Sequence, residues 1–195
     1  GDRTDASGEK EMIDAVTRGD LAILDFMQAH LSCGFLDTVM PALTRLGDSG
    51  VIWIVLAAAL LLFPRTRKYG LAAALALVIG ALLCNVTLKP LVARLRPFEI
   101  ADTMRQLLID PPSDFSFPSG HTTSSFAAAT ALAAASARGW PAAMILAAVI
   151  AFSRLYLYVH YQTDVITGAL IGAFSGLAAY ALVWNPRKKE RKHTL

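Results

Sequence analysis

Five apolar segments constrain the fold of this chain more than any other feature. They cover approximately residues 49–64, 70–89, 120–138, 141–158 and 164–184. A helix of about 20 residues crosses a hydrocarbon core of roughly 30 Å, and 55% of the 195 residues are hydrophobic against 17% that are charged. That balance is typical of membrane helices and too apolar for a soluble domain of this size. We therefore predict an all-α integral membrane protein with a bundle of about five transmembrane helices.

The first and third of these segments depart from a simple span, and the fifth contains glycines spaced for close helix packing. The first is short, so it needs Arg65 or Arg67 to reach the interface, or a locally thinned bilayer. The third is rich in alanine, which suits close helix packing better than lipid exposure. The fifth contains Gly168, Gly172 and Gly176, spaced four apart. We expect this glycine face to pack within the bundle rather than to form a dimer.

The ends of the chain differ in composition from the apolar region. Residues 1–11 are polar and small, which predicts a flexible lead-in, and residues 187–195 form a basic tail. Residues 12–46 are amphipathic and predict helices that lie in the membrane interface or pack on the bundle, before a transmembrane domain at 47–186. A soluble helix that binds another protein is the alternative for 12–46. Its first half repeats Leu21, Ile23, Leu24, Met27 and Leu31 at helical spacing, with Asp25, Gln28 and Ser32 on the other side.

Basic residues outside the apolar segments predict the orientation in the membrane. Arg65, Arg67 and Lys68 follow the first segment, and further lysines and arginines fill the tail at 187–195. If all five segments span, both clusters fall on one side, which the positive-inside rule makes cytoplasmic. The loop 90–119 and the turn after the fourth segment then lie on the external side.

Charged side chains occur in three short runs beside the apolar segments, where ionisable residues indicate function. The first run contains Lys89 and, seven residues later, Arg96 followed by Pro97. Lysine offers a phosphate a point charge and arginine a planar fork of donors, so an anion site is one interpretation. Anchoring of a helix end at the membrane interface is the other, and this run alone does not decide between them.

The second run, Pro118-Ser119-Gly120-His121, immediately precedes an apolar helix. Ser119 is a natural N-cap, and a helix N-terminus presents free N–H groups and positive potential to an anion. Gly120 lets the backbone approach an oxyanion closely, and His121 in the first turn is placed to protonate a leaving oxygen. An ordinary helix cap followed by an interfacial histidine is the simpler interpretation.

The third run is the most informative. Arg154 lies near the end of an apolar segment, and His160 and Asp164 are four residues apart. On one helix face, the carboxylate can accept a proton from one ring nitrogen and make the other a better nucleophile. The alternatives are a surface ion pair and a metal site formed by His121, His160 and Asp164. Because three cations in the same site would repel a divalent metal, we predict neither a metal nor a cofactor.

Together the three runs resemble the signature of the phosphatidic acid phosphatase type 2 superfamily, which includes bacterial lipid phosphatases and vanadium haloperoxidases. Its pattern is Lys-x6-Arg-Pro, then Pro-Ser-Gly-His, then Ser-Arg-x5-His-x3-Asp. The chain has KPLVARLRP, PSGH and SRLYLYVHYQTD at the corresponding places, so every signature position is matched. The resemblance covers roughly residues 45–184, without the extra first span of six-span members.

The resemblance implies a role for each residue of the site. His160 would attack phosphorus to form a phosphohistidine, Asp164 would orient and activate it, and His121 would donate a proton to the leaving group. The phosphoryl oxygens would be bound by Lys89, Arg96, Ser119, the Gly120 N–H and Arg154, where charge accumulates in the transition state.

It also implies a metal-independent phosphatase in the bacterial cytoplasmic membrane, with an external active site and a cytoplasmic carboxyl terminus. Undecaprenyl pyrophosphate is the substrate we expect first; phosphatidylglycerophosphate, phosphatidic acid, diacylglycerol pyrophosphate and lipid A phosphates compete with it. The expected partners are this lipid and the surrounding membrane lipids, with no nucleic acid. A vanadate-dependent haloperoxidase and an idle protein that binds or transports an anionic lipid are the alternatives. Five apolar spans disfavour the first, and the complete motifs disfavour the second.

Overall fold

A computed structural model describes residues 2–101 and 107–184, with side chains from residue 11 onward. Within these ranges the chain is helical and contains no strand, which confirms the predicted all-α class. A 3₁₀ turn at Asp48–Gly50 and a π-helical stretch at Leu82–Leu88 join neighbouring helices. The α-helices are α1 (Asp2–Leu31), α2 (Gly34–Leu46), α3 (Val51–Leu62), α4 (Arg67–Ala81), α5 (Lys89–Val92), α6 (Pro97–Ile100), α7 (Gly120–Ala134), α8 (Trp140–Tyr156) and α9 (Gln162–Val183).

The alanine-rich α7 lies at the centre of the bundle. It packs against α4, α8 and α9, and its alanines at positions 127, 128, 129 and 131 are fully buried. Methyl side chains fill little space, so the neighbouring helices approach closely. The prediction that this segment favours helix packing over lipid exposure is confirmed.

The glycine face of α9 lies against α7. A methyl group placed at Gly172 would be 2.5 Å from the carbonyl oxygen of Thr123. Methyl groups at Gly168 and Gly176 would be 2.8 Å from other backbone oxygens of α7 and its N-cap. The two backbones meet where any side chain would separate them, so the glycine face packs within the bundle, as predicted.

The number of spans stays a prediction. Among the described residues, the helical run Arg67–Ile100 and α9 are each long and apolar enough to cross a membrane. A third candidate joins Gly34–Leu46 to Asp48–Leu62 through a bend of 41°. α8 is apolar but has 17 residues, and α7 has 15, which gives α7 a rise of about 22 Å. Because other helices surround α7, its length need only suffice for contact with those helices and need not equal the thickness of a bilayer.

The first helix begins earlier than the sequence indicates. α1 starts at Asp2, so the structure makes residues 2–11 helical where we predicted a flexible lead-in. The end of this segment, Glu9-Lys10-Glu11, consists of good helix formers, and one glycine is too weak a breaker to end a helix. The basic tail predicted at 187–195 lies outside the described residues.

α1 contacts the bundle through the side that carries its polar residues. Asp25 accepts a hydrogen bond of 2.7 Å from the Tyr158 hydroxyl, and Gln28 donates one of 2.6 Å to the Tyr156 carbonyl. Leu24 is fully buried beside Tyr158. Many of the apolar side chains of α1 instead face outward: Met12, Ile13, Val16, Ile23, Phe26 and Leu31 are exposed.

The three charged runs meet at one end of the bundle. α3, α7 and α9 begin at this end, whereas the π-helical extension of α4 and the last turn of α8 finish there. Arg65, in the connection between α3 and α4, and Arg67 and Lys68, the first residues of α4, lie at the opposite end; we call these three residues the basic connection. Charged site and basic connection are therefore separated by the length of the bundle.

Candidate active site

A cavity of about 630 Å³ opens at the end of the bundle where the charged runs meet. The two predicted site residues that do not line it, Asp164 and Ser119, are buried behind its wall. The structure thus brings together residues from three separate stretches of the chain. The six predicted residues that line the cavity are Lys89, Arg96, Gly120, His121, Arg154 and His160.

His160 lies in the turn between α8 and α9 with its two ring nitrogens in different surroundings. Its Nδ1 is 3.4 Å from Asp164 Oδ2, and its Nε2 is 3.2 Å from Arg96 Nη1. A carboxylate only accepts and a guanidinium only donates hydrogen bonds. This arrangement therefore selects the tautomer with hydrogen on Nδ1 and the lone pair on Nε2, where it faces the Arg96 donor.

The protonation state of His160 agrees with that tautomer. Burial, the largest effect, lowers the pKa of His160 to about 3. The hydrogen bond to Asp164 opposes this shift, and the charges of Arg154 and Arg96 reinforce it. The imidazole is consequently neutral at pH 7, as a nucleophile must be.

Arg96 is fixed by protein acceptors on several sides and is 2% exposed. Its Nη1 donates a hydrogen bond of 2.6 Å to the Val159 carbonyl, and its Nε donates one of 2.8 Å to the Asp114 carbonyl. Its Nη2 and Lys89 Nζ both pair with the Asp114 carboxylate. Nη1 also faces His160 Nε2 and Nη2 also faces the Phe115 carbonyl, so every N–H of the guanidinium has a protein acceptor. A guanidinium held this way has one orientation and little entropy left to lose on binding an anion.

Asp114 is therefore an internal anion between two of the predicted phosphate ligands. Partial burial opposes its ionisation, yet the pairs with Lys89 and Arg96 prevail and lower the pKa of Asp114 to about 2. The side chain is 54% exposed, so it can move aside. A phosphate entering this position competes with Asp114 for the two cations.

Arg154 adds the third cation. Only 3% of the residue is exposed, and its Nη1 donates a hydrogen bond of 2.7 Å to the Thr44 hydroxyl of α2. Its buried Nε has no hydrogen-bond partner among the described residues. Because an unsatisfied buried donor is costly, this nitrogen indicates an anion in the cavity that Arg154 lines.

The start of α7 shows the predicted helix cap. Ser119 Oγ accepts hydrogen bonds from the Thr122 backbone N–H at 3.5 Å and from the Thr122 hydroxyl at 2.9 Å. A methyl group at Gly120 would be 3.1 Å from Asn85 Oδ1 and 3.9 Å from Lys89 Nζ. The π-helical stretch and the start of α5 therefore bring Asn85 and Lys89 close to Gly120, where a methyl group would be in tight contact with the Asn85 amide.

His121 pairs with a residue that the sequence did not single out. Its Nε2 is 2.9 Å from Asp48 Oδ1, and Asp48 belongs to the 3₁₀ turn before α3. The carboxylate accepts the Nε2 hydrogen and orients the ring at the cavity wall. The sequence did offer a signal for Asp48: it directly precedes the first apolar segment, so its carboxylate lies at the end of the bundle where the three motifs lie.

Asp164 also has partners that sequence reasoning missed. Its Oδ2 accepts hydrogen bonds from the Ser116 hydroxyl and, at 3.0 Å, from the Tyr161 N–H, while Oδ1 is 2.8 Å from Arg94 Nη1. Arg94 lies inside the first charged run, two residues before Arg96. Its charge was therefore evident from the sequence, whereas its pairing with Asp164 could not be predicted. Among the described residues, no group of three histidine, cysteine or acidic side chains is arranged to hold a metal ion.

Three fixed cations around a cavity, with a neutral histidine backed by a carboxylate, form a site suited to phosphoryl transfer. The site lies at one end of a bundle of apolar helices. These two features define the class as a membrane protein that acts on a phosphorylated substrate.

Comparison with known proteins gives the family. The model described as PAP2 superfamily matches residues 67–188. A decaprenylphosphoryl-5-phosphoribose phosphatase of Mycobacterium tuberculosis is 36% identical over 185 residues, which are 93% of this chain and 99% of that enzyme. An undecaprenyl-diphosphatase of Sulfolobus acidocaldarius is 37% identical over 140 residues, 71% of this chain and 66% of that enzyme. The crystal structure of Aquifex aeolicus LpxE matches with a TM-score of 0.70 and 28% identity, over 82% of this chain and 93% of that chain.

The chain therefore belongs to the PAP2 superfamily and is a lipid phosphatase of the PAP2 type. The resemblance seen in its motifs is confirmed, together with the expectations of an enzyme and of a helical membrane protein. The two other functions considered, haloperoxidase and idle lipid binder, receive no support from these relatives.

Proposed function

We propose that this protein removes the terminal phosphate of a polyprenyl-linked lipid through a phosphohistidine at His160, without a metal ion. The observation that supports this most is the convergence of the His160 Nε2 side with Lys89, Arg96 and Arg154 on one cavity. Fixed cations at a developing negative charge are the usual source of phosphoryl-transfer catalysis. The unpartnered Arg154 Nε adds a donor for that charge.

In the first step, His160 Nε2 attacks phosphorus in line with the leaving oxygen. The N–P bond forms while the P–O bond to the lipid breaks, and His121 gives its proton to the departing oxygen. Asp164 holds the Nδ1 hydrogen and stabilises the positive charge that develops on the ring. Lys89, Arg96, Arg154 and the Gly120 N–H bind the phosphoryl oxygens, while Ser119, buried behind the cavity wall, caps the helix that carries Gly120 and His121.

In the second step, water attacks the phosphohistidine. One proton of that water passes to His121, which restores the acid used in the first step. The N–P bond breaks, its electron pair returns to Nε2, and inorganic phosphate leaves. The Asp48 carboxylate, 2.9 Å from His121 Nε2, keeps the ring at the cavity through both transfers.

For the substrate we propose undecaprenyl pyrophosphate first and decaprenylphosphoryl-5-phosphoribose second. The two share a long polyprenyl chain and a terminal phosphate. The first is supported by the identity with the Sulfolobus enzyme, and the second by the match to almost the whole mycobacterial enzyme. The open cavity at the bundle end leaves space for a headgroup while the lipid chain stays among apolar helices.

For the membrane we propose the bacterial cytoplasmic membrane, with the site on the external face. The support is the separation of the site from the basic connection at Arg65, Arg67 and Lys68. That connection belongs on the cytoplasmic side by the positive-inside rule. The carboxyl terminus follows α9 to the same cytoplasmic side.

The test is phosphate release by detergent-purified protein in EDTA, with the His160→Ala variant beside the wild type. The panel contains undecaprenyl pyrophosphate, decaprenylphosphoryl-5-phosphoribose, phosphatidylglycerophosphate and phosphatidic acid. We expect release in EDTA that disappears in the variant, and the ranking of rates identifies the headgroup. Equal turnover by folded His160→Ala would contradict the histidine mechanism.

A trapping experiment tests the intermediate directly. Lipid labelled at its terminal phosphate with ³²P is mixed with the enzyme and quenched in alkali, where phosphohistidine survives, or in acid, where it is lost. We expect alkali-stable label on the wild-type protein and none on His160→Gln. Label on both proteins would place the covalent bond elsewhere.

A further inference from the structure

Arg94 connects the active site to the amino-terminal helix. Its Nη1 is 2.8 Å from Asp164 Oδ1, and its Nη2 is 2.8 Å from Asp20 Oδ2 of α1. Asp20 is 5% exposed and Asp164 is fully buried. One guanidinium therefore bridges two carboxylates, one of them the partner of His160.

The bridge is held rigidly by the chain around it. Arg94 Nη1 also donates a hydrogen bond of 2.7 Å to the Thr163 hydroxyl, which in turn donates one of 2.6 Å to Asp20 Oδ2. The guanidinium carbon lies 3.8 Å from the centre of the Tyr161 ring. Arginine provides both the planar fork and the stacking face that this arrangement uses.

The two oxygens of Asp164 have separate tasks as a result. Oδ2 faces His160 Nδ1, together with the Ser116 hydroxyl and the Tyr161 N–H, while Oδ1 faces Arg94. Without Arg94, the fully buried carboxylate would lose its charged partner and the hydrogen bond to Oδ1, and only the three contacts of Oδ2 would hold its orientation. Arg94 thereby keeps Oδ2 directed at the nucleophile.

Asp20 changes the electrostatic effect of this bridge. Arg94 alone would neutralise Asp164 and weaken its ability to stabilise positive charge on His160. With Asp20 on its other side, the set of two carboxylates and one guanidinium carries a net charge of −1. A net negative charge behind His160 favours the cationic ring that forms when Nε2 bonds to phosphorus.

We propose that Asp20 and Arg94 are positioning residues that act on the nucleophile through Asp164. Neither lines the cavity, so neither touches the substrate. Asp20 belongs to α1, which lies outside the family match at 67–188. In this proposal α1 therefore contributes a positioning residue to the active site. The role of these two residues rests on the proposed histidine mechanism.

The test is steady-state phosphate release by Asp20→Asn, Arg94→Gln, Arg94→Lys and the Asp20→Asn/Arg94→Gln double variant. Since partners of this kind typically change activity by about 10- to 100-fold, we expect kcat of Arg94→Gln to fall by that amount. KM is expected to stay within about twofold because no phosphate contact is lost. Arg94→Lys is expected to recover part of kcat. The double variant is expected to lose less than the sum of the two single losses, because Asp20 acts on Asp164 mainly through Arg94.

Asp25→Asn is the matched control. It removes a carboxylate charge from the same helix, while the amide oxygen of asparagine can still accept the hydrogen bond from the Tyr158 hydroxyl. Its kcat is expected to stay at the wild-type value. The Tm of every variant in detergent separates loss of fold from loss of rate. If kcat fell in Asp25→Asn as much as in Asp20→Asn, the bridge formed by Arg94 would contribute only to general stability and would have no specific effect on His160.

Three other outcomes overturn the inference. They are a wild-type kcat in folded Arg94→Gln, a rise of KM at constant kcat, and additive losses in the double variant. Failure of the histidine mechanism is distinguished by His160→Ala, which would then remain active. If His160→Ala is inactive while Arg94→Gln and Asp20→Asn work normally, only the positioning role is wrong.

Discussion

Charged residues in this site are arranged so that each cation has a protein acceptor and still faces the cavity. Arg96 is held by Val159 and Asp114, and Arg154 is held by Thr44 while its Nε stays unpartnered among the described residues. Such preorganisation means that little reorientation is needed when charge builds on the phosphoryl group. The neutral His160 beside them completes a site that is ready before substrate arrives.

Asp114 provides a prediction about phosphate affinity. Its carboxylate pairs with Lys89 and Arg96, so substrate phosphate must displace it or share the cations. In Asp114→Asn we expect KM for the lipid and the inhibition constant of inorganic phosphate to fall together, by about tenfold for each 1.4 kcal/mol of competition removed. Asp110→Asn, another carboxylate at the cavity wall, serves as the control. A rise of both constants would mean that Asp114 positions the cations instead of competing for them.

His160 provides a prediction about stability and pH. Burial lowers its pKa to about 3, below the value of about 6.5 in an unfolded chain. Between these values the unfolded state binds the extra proton, so acidification destabilises the folded protein. From pH 7 to pH 5 we expect the wild type to lose roughly 2 kcal/mol more stability than His160→Gln. Tm measured against pH in detergent tests this, and parallel curves for the two proteins would show that His160 is not the responsible group.

At the scale of elements, the packing of α9 on α7 depends on the absence of side chains. A methyl group at Gly172 would be 2.5 Å from the Thr123 carbonyl oxygen and 2.9 Å from the Ala127 backbone nitrogen. Both atoms belong to the backbone of α7, the helix whose first turn carries His121. Spacing between the two helices therefore also sets the distance between His121 and the His160–Asp164 pair.

This close approach predicts the effect of Gly172→Ala. We expect a destabilisation of about 1–3 kcal/mol, because the helices must separate to admit the methyl group. Gly19→Ala is the control: it makes the same substitution in α1, where a methyl group has no atom within 4 Å, and is expected to be neutral or slightly stabilising. Tm in detergent measures both variants. An unchanged Tm in Gly172→Ala would mean that the two helices can separate enough for the methyl group without loss of stability.

α1 shows where pattern reading at the element scale stops. Its apolar residues recur at helical spacing, and the amphipathic helix was predicted from them. Beside the buried Leu24, however, the side chains that reach the bundle include the polar Asp20, Asp25 and Gln28. Ile23 and Phe26 are 50% and 61% exposed. The rule that apolar sides pack inward fails here because the turn that receives α1 offers hydroxyls, a carbonyl and a guanidinium. The exposed apolar side is suited to the membrane interface.

At the scale of the whole molecule, one exposed thiol allows the proposed orientation in the membrane to be tested. Cys33 is exposed and Cys84 is buried, and both are free. Cys33 lies at the site end, where its backbone N–H is 3.4 Å from the Tyr156 hydroxyl. In intact bacteria we expect a membrane-impermeant maleimide to label the wild type and not Cys33→Ser. Labelling only after the membrane is opened would put the active site on the cytoplasmic side.

The class of this protein and the residues that line its cavity could be predicted from the sequence because both depend on local patterns. Apolar runs of sufficient length imply membrane helices, and Lys89, Arg96, His121, Arg154 and His160, found in three separate motifs, line one cavity. The Ser119 cap also follows from its immediate neighbours. Each of these inferences uses residue type and spacing within a few turns of helix.

The partners of these residues were decided by tertiary structure alone. Asp20 meets Arg94 across 74 positions of the chain, and Thr44 meets Arg154 across 110, while the Asp48 carboxylate reaches His121 from the turn before α3. No local spacing records such pairings, since many folds of the same helices would leave these side chains in solvent. They exist because α1, α2 and the 3₁₀ turn settle on the charged end of the bundle, where buried ions require acceptors and donors to be stable.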